Sequence, residues 1–183
     1  MECRLLKPFP KTVWYLSMHN SNNPIIFETI GDDQESHQKT HFLIGCTDYT
    51  MFFTMASHYI ASFSEQTEYW DLPNRSYGIK FAATERIDEY EATKNSSNLY
   101  KNPNPAPFSY CEIKILYDIL SKIILAHQKQ FDAECYYFTA ETKSLSKSYR
   151  RLLKTQHEKN LVELTFEIID NDNFILKFPR QNE

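Results

Sequence analysis

Glu134-Cys-Tyr-Tyr-Phe-Thr-Ala140, followed by Lys143-Ser-Leu-Ser-Lys-Ser-Tyr-Arg-Arg-Leu-Leu-Lys154, is the stretch that decides the fold. Its first part is an aromatic and apolar run bounded by polar residues, the pattern of a buried strand. Its second part has helical spacing. Leu145, Tyr149, Leu152 and Leu153 share one side, while Lys147, Arg150, Arg151 and Lys154 stand at i, i+3, i+4 and i+7 on the other. A buried strand therefore breaks at Glu141-Thr142 and feeds a basic amphipathic helix over 143–156.

Upstream, Ile113, Leu116, Tyr117, Leu120, Ile123, Ile124 and His127 trace one face of a helix that begins at Ser109 or Tyr110. Lys and Gln gather at its end, where the helix dipole favours cations. Downstream, 161–168 alternates, Asp170-Asn-Asp-Asn173 turns, and 174–178 closes a hairpin. The second half thus runs helix, strand, helix, strand, strand.

In the first half, 12–18 and 24–30 read as strands of a hairpin around the polar run 19–23, with a loop at 31–36. The segment 40–46 reads as a third strand. Asp48 is placed as an N-cap, and Phe52, Met55, Ala56, Tyr59, Ile60 and Phe63 follow at helical spacing, with His58 at the edge of that stripe. Tyr77, Ile79 and Phe81 alternate along a strand at 76–82. Glu85, Asp88, Glu89 and Glu91 read as a solvated face or an extension of that strand. The Asn-, Ser- and Pro-rich segment 93–108 reads as a long loop. Together these elements specify one mixed α/β (α+β) domain over 1–183. Its sheet is largely antiparallel, with at least three flanking helices.

The chain has ordinary apolar (42%) and charged (24%) fractions, so it can bury a core. Its formal charge of −4 removes any global case for nucleic acid, leaving only a local patch. Cys3, Cys46, Cys111 and Cys135 show no C-x-x-C spacing and sit in apolar segments, as reduced, buried thiols do. Neither a signal-peptide core nor about 18 consecutive apolar residues is present, so the expectation is a cytoplasmic protein with no membrane partner. His37 and His41 lead into a strand and do not share a helical metal face; no metal site is expected. Glu112-Ile-Lys114 matches the E-x-K of metal-dependent nucleases but repeats with helical period.

The element order from 110 to 178, with Tyr149 near the middle of the penultimate helix, resembles the C-terminal half of the GNAT acyltransferases. That resemblance implies an acyl-CoA cofactor and Tyr149 as the general acid that protonates the departing CoA thiolate. The family carries a Gly-rich, pyrophosphate-binding turn between its fourth strand and third helix. The corresponding stretch, Glu85 to Ser109, holds no glycine, and Glu141-Thr142 replace the asparagine usual before the tyrosine-bearing helix.

Three functions follow, in order. The first is a non-catalytic interaction or regulatory module on a degenerate GNAT-like scaffold, without a cofactor. It would bind another protein through the basic helix (Lys143, Lys147, Arg150, Arg151, Lys154) and the loop at 93–108. The second is an N-acyltransferase using acetyl-CoA or another acyl-CoA with an atypical cofactor loop. The third is a nucleic-acid-binding module using the same basic helix.

Overall fold

A computed structural model of the chain describes residues 24–31, 37–56, 72–101, 108–140, 143–158, 165–168 and 172–179, omitting the side chains of 144 and 155–158. The strands are β1 (Glu28–Ile30), β2 (His37–Ile44), β3 (Thr47–Met55), β4 (Ser76–Ala83), β5 (Cys135–Thr139), β6 (Thr165–Ile168) and β7 (Asn173–Lys177). The helices are α1 (Thr84–Thr93), α2 (Tyr110–Phe131) and α3 (Lys143–Glu158). All seven strands join one sheet in the order β1-β2-β3-β4-β5-β7-β6, antiparallel throughout except for β4 beside β5. The fold is mixed α+β. Among the described residues, no helix is long and apolar enough to cross a membrane.

The register places one set of alternating residues on one face: Phe42 and Ile44 of β2, Tyr49, Met51 and Phe53 of β3, Tyr77 and Ile79 of β4, Tyr136 and Phe138 of β5, and Phe174 and Leu176 of β7. These side chains are buried. Both long helices cover them. His127 of α2 stacks on Phe53 at 3.8 Å, and Tyr149 of α3 meets Phe138 and Phe174 edge-on at 4.8 and 5.6 Å. β6 is parallel to β5 because both oppose β7, so the two crossovers step the same way across the sheet. The right-handed rule then sends both helices to one face.

At the base of this core, His127 Nδ1 lies 2.8 Å from Tyr136 Oη, which is 3.4 Å from the Ile124 carbonyl. With Nδ1–H donating to the phenol and the phenol to the carbonyl, only a lone pair at Nε2 is left among aromatic rings. That is the less costly atom to leave without a partner. Burial holds the imidazole neutral, lowering its pKa to about 3.

Several expectations need correction. The helix from Asp48 is strand β3 as far as Met55, and Asp48 pairs with Leu43. Tyr49, Met51 and Phe53 also alternate, and neighbours on both sides, β2 and β4, supply the ladders that select this period. Residues 57–63, His58 among them, lie outside the described residues, as do 12–23, most of the 31–36 loop, 161–164 and Cys3. Within 24–30 only Glu28–Ile30 is a strand, and its partner is β2. The acidic run is a solvated face, as expected, but of helix α1 and not of an extended strand, and its carboxylates meet Arg86 and Lys94 at 2.8 and 2.7 Å. Of the 93–108 segment, Ser96–Asn98 forms a 3-10 turn capped by Asn95, and 102–107 lie outside the described residues. Cys46 and Cys111 are exposed, at a hairpin turn and in the first turn of α2; only Cys135 is buried, its thiol pushed up to about 11 by burial.

Candidate functional site

Among the described residues, the seam between β4 and β5 is the one place where the sheet is parallel, and its ladder is short. Its lower end is closed. Ser76, Tyr77 and Gly78 are in register with Cys135, Tyr136 and Tyr137, and the Glu134 N–H donates to the Arg75 carbonyl at 2.9 Å. The Arg75 guanidinium reaches Asp132 at 2.9 Å and Glu134 at 3.6 Å. Ser76, fully buried, donates its hydroxyl to the Pro73 carbonyl at 2.6 Å.

Beyond Gly78 and Tyr137 the ladder between these strands ends. β4 continues alongside β3 up to Ala83 opposite Tyr49, and β5 alongside β7 up to Thr139 opposite Asn173. Each strand is held by its other neighbour. Phe138 stacks on Phe174 at 5.4 Å, and Ala140 donates to the Asp172 carbonyl at 2.7 Å. On the other side, Thr50 Oγ1 bonds Thr84 Oγ1 at 2.9 Å where β4 runs into α1. The unbridged end of the seam, here the wedge, lies at the C-terminal ends of two parallel strands, a usual position for ligands in sheets of this kind.

Gly78 stands at the apex. A Cβ built there would lie 2.6 Å from Tyr137 Oη and 2.7 Å from its Cζ. Only glycine lets the phenol cross from β5 over β4 at the last shared rung.

The first turn of α2 lies against the β2–β3 turn. Its amides are engaged by a capping box: Glu112 N–H donates to Ser109 Oγ at 3.2 Å, and Ser109 N–H donates to the Glu112 carboxylate at 2.7 Å. These bonds hold Glu112 below the usual carboxylate range. The Glu112 carboxylate also abuts Gly45, the φ +61° residue of the two-residue β2–β3 turn. Nearby, burial, with Glu112 and Glu85 adding to it, pushes the Tyr49 phenol up to about 12. Among the described residues its hydroxyl has no hydrogen-bond partner.

Tyr149 lies in α3 on the helix-covered face, 8% exposed, beside the upper end of β5. Lys143, Lys147, Arg151 and Lys154 are exposed on the outer side of the same helix, and Arg150 is half-buried with its guanidinium over the Phe174 ring at 5.7 Å. Tyr149 and the cations therefore occupy opposite sides of α3 and do not form one site. His37 and His41 lie on β2, bonded to Thr54 at 2.9 Å and Thr50 at 3.1 Å, and Glu112 and Lys114 lie on α2. Among the described residues no three His, Cys, Asp or Glu side chains gather to hold a metal. Sequence reasoning missed the Gly78–Tyr137 rung. An isolated glycine inside the strand pattern 76–82 was the available signal for a close backbone approach.

Compared with protein-family models, curated proteins and solved structures, the chain matches none of them.

Proposed function

We propose that the wedge above Gly78 and Tyr137 takes the pantetheine arm of an acyl-CoA, and that the chain is a GNAT-like N-acyltransferase with an atypical cofactor loop. The observation that carries this is the end of the β4–β5 ladder at Gly78 and Tyr137, one residue before the Phe138 ring that Tyr149 meets. On sequence, the missing glycines rank an interaction module first; the unbridged end of the seam supports the acyltransferase reading.

The residues present fit the arm. Beyond Gly78, alternate backbone groups of β4 face the opening, and such an edge bonds an extended amide chain as a neighbouring strand would. The phosphate end fits differently. The first turn of α2 is closed by Ser109 and carries Glu112, so it is no seat for pyrophosphate, in keeping with the absence of a Gly-rich turn. When bound, the thioester supplies the acyl group. Tyr149, held edge-on by Phe138 and Phe174, then serves as general acid through its position.

Acetyl-CoA titrated into the purified chain raises the melting temperature in this account. Tyr149→Phe keeps that rise and loses acyl transfer to an amine. An unchanged melting temperature at millimolar acetyl-CoA rejects the proposal. Glu112 at the α2 terminus favours one other reading, the non-catalytic interaction module using α3 and the segment 93–108, for which that flat response is the expected result.

A further inference from the structure

Outside the wedge, the outer side of α3 is a strongly cationic surface. At about 100° per residue, Lys143, Lys147, Arg150, Arg151 and Lys154 fall within an arc of about 100°, along about 16 Å of helix. Residues 143–154 include no Asp or Glu. Elsewhere among the described residues six cations are matched to carboxylates, Lys39 to Glu28, Arg75 to Asp132, Arg86 to Glu89, Lys94 to Glu91, Lys122 to Asp118 and Lys177 to Glu167, while Lys114 lies over the Tyr110 ring. Among the described residues Lys143, Lys147 and Arg151 form no ion pair.

Stability alone would not choose this arrangement. Lys143 and Lys147, Lys147 and Arg151, and Arg150 and Lys154 are like charges at i, i+4, which repel. Lys143 stands at the helix N-terminus, where the macrodipole disfavours a cation. In a chain with more acidic than basic residues, carboxylates were available to relieve both strains. A surface that breaks local rules without a structural gain is where function is expected.

We infer that the outer face of α3 binds the phosphodiester backbone of nucleic acid, without reading base sequence. A stable protein–protein contact is organised around buried apolar or aromatic anchors. The exposed arc of α3 is built of cations, and its apolar residues Leu145, Tyr149, Leu152 and Leu153 point to the core instead. Phosphate contact needs no such anchor. Lys143, Lys147 and Arg151, which form no ion pair among the described residues, offer about three phosphate contacts, which sets the expected salt dependence.

The test uses the full chain and a fluorescent mixed-sequence 20-base-pair duplex, followed by anisotropy from 50 to 200 mM salt. Binding is expected to weaken about fortyfold across that range, with similar affinities for unrelated sequences. K147Q/R151Q lowers affinity at least tenfold at 50 mM salt and reduces the log–log slope by about two. Its melting temperature stays level or rises, since repulsion is relieved, whereas K147R/R151K keeps both affinity and slope. No binding at 50 mM salt overturns the inference, as does binding that the double substitution leaves intact. Poly-glutamate bound as tightly as the duplex also overturns it, and would point to an acidic protein instead.

Discussion

Below Gly78, β4 and β5 are bonded strand to strand and clamped by Arg75 to Asp132 and Glu134; above it, the same two strands answer to different neighbours. The lower end is filled by aromatic rings around His127, with Phe53, Tyr77 and Tyr136 in contact with the imidazole. At the upper end no strand lies between Ile79–Ala83 and Phe138–Thr139 among the described residues. One seam thus holds both a bonded anchor and an unbridged end. The bonded half keeps the strand ends in place, so that the unbridged half keeps its shape.

The largest effect expected at the anchor comes from Tyr136→Ala. Tyr136 is fully buried, and its removal costs about 3–5 kcal/mol by urea unfolding. Partly buried Tyr137, one residue on, costs about 1 kcal/mol when cut to Ala. Equal losses would erase the distinction between the two ends.

His127 gives a pH test of the same anchor. Its folded pKa is depressed to about 3, so below the unfolded value near 6.5 the unfolded chain binds the extra proton. The stability from the neutral imidazole is fully present above pH 6.5 and is lost as pH falls toward 3. Between pH 6.5 and 5 the loss is about 2 kcal/mol. His127→Phe flattens that slope while Tyr136 keeps its bond to Ile124; a slope that persists in the variant would place its origin elsewhere.

At the junction, Gly78→Val forces the Tyr137 phenol aside and costs about 1–3 kcal/mol. It also abolishes the melting-temperature rise with acetyl-CoA, a loss that Arg75→Gln does not reproduce. Arg75→Gln has the smallest effect. The guanidinium is half-exposed, so its loss costs less than about 1 kcal/mol and fades at high salt. A larger loss would mean that the ion pairs, rather than the aromatic core, close the lower end.

Local periodicity made much of this architecture legible. In α3 the apolar and cationic arcs do not overlap, and in α2 the stripe from Ile113 to His127 admits only a helix. β5 and the β6–β7 hairpin were equally readable from apolar runs and the turn at 170–173. The segment 47–55 was not, because Tyr49, Met51 and Phe53 fit a strand while Phe52, Met55 and Ala56 fit a helix. Pairing with distant β2 and β4 decided between them. The wedge was invisible for the same reason. Where a ladder stops depends on partners far apart in sequence, and Gly78 is its single local trace. Cys46 and Cys111 misled because apolar neighbours do not bury a residue at a turn or a helix start.

The most direct measurement is amide hydrogen exchange along β4 and β5, with and without acetyl-CoA. Without ligand, Ser76–Gly78 and Cys135–Tyr137 should exchange slowly, and the amides of Ile79–Ala83 that face β5 should exchange faster. With ligand, protection should rise at those upper β4 amides and stay unchanged below Gly78. Uniform slow exchange along the whole seam, or ligand protection that bypasses Ile79–Ala83, would contradict the wedge.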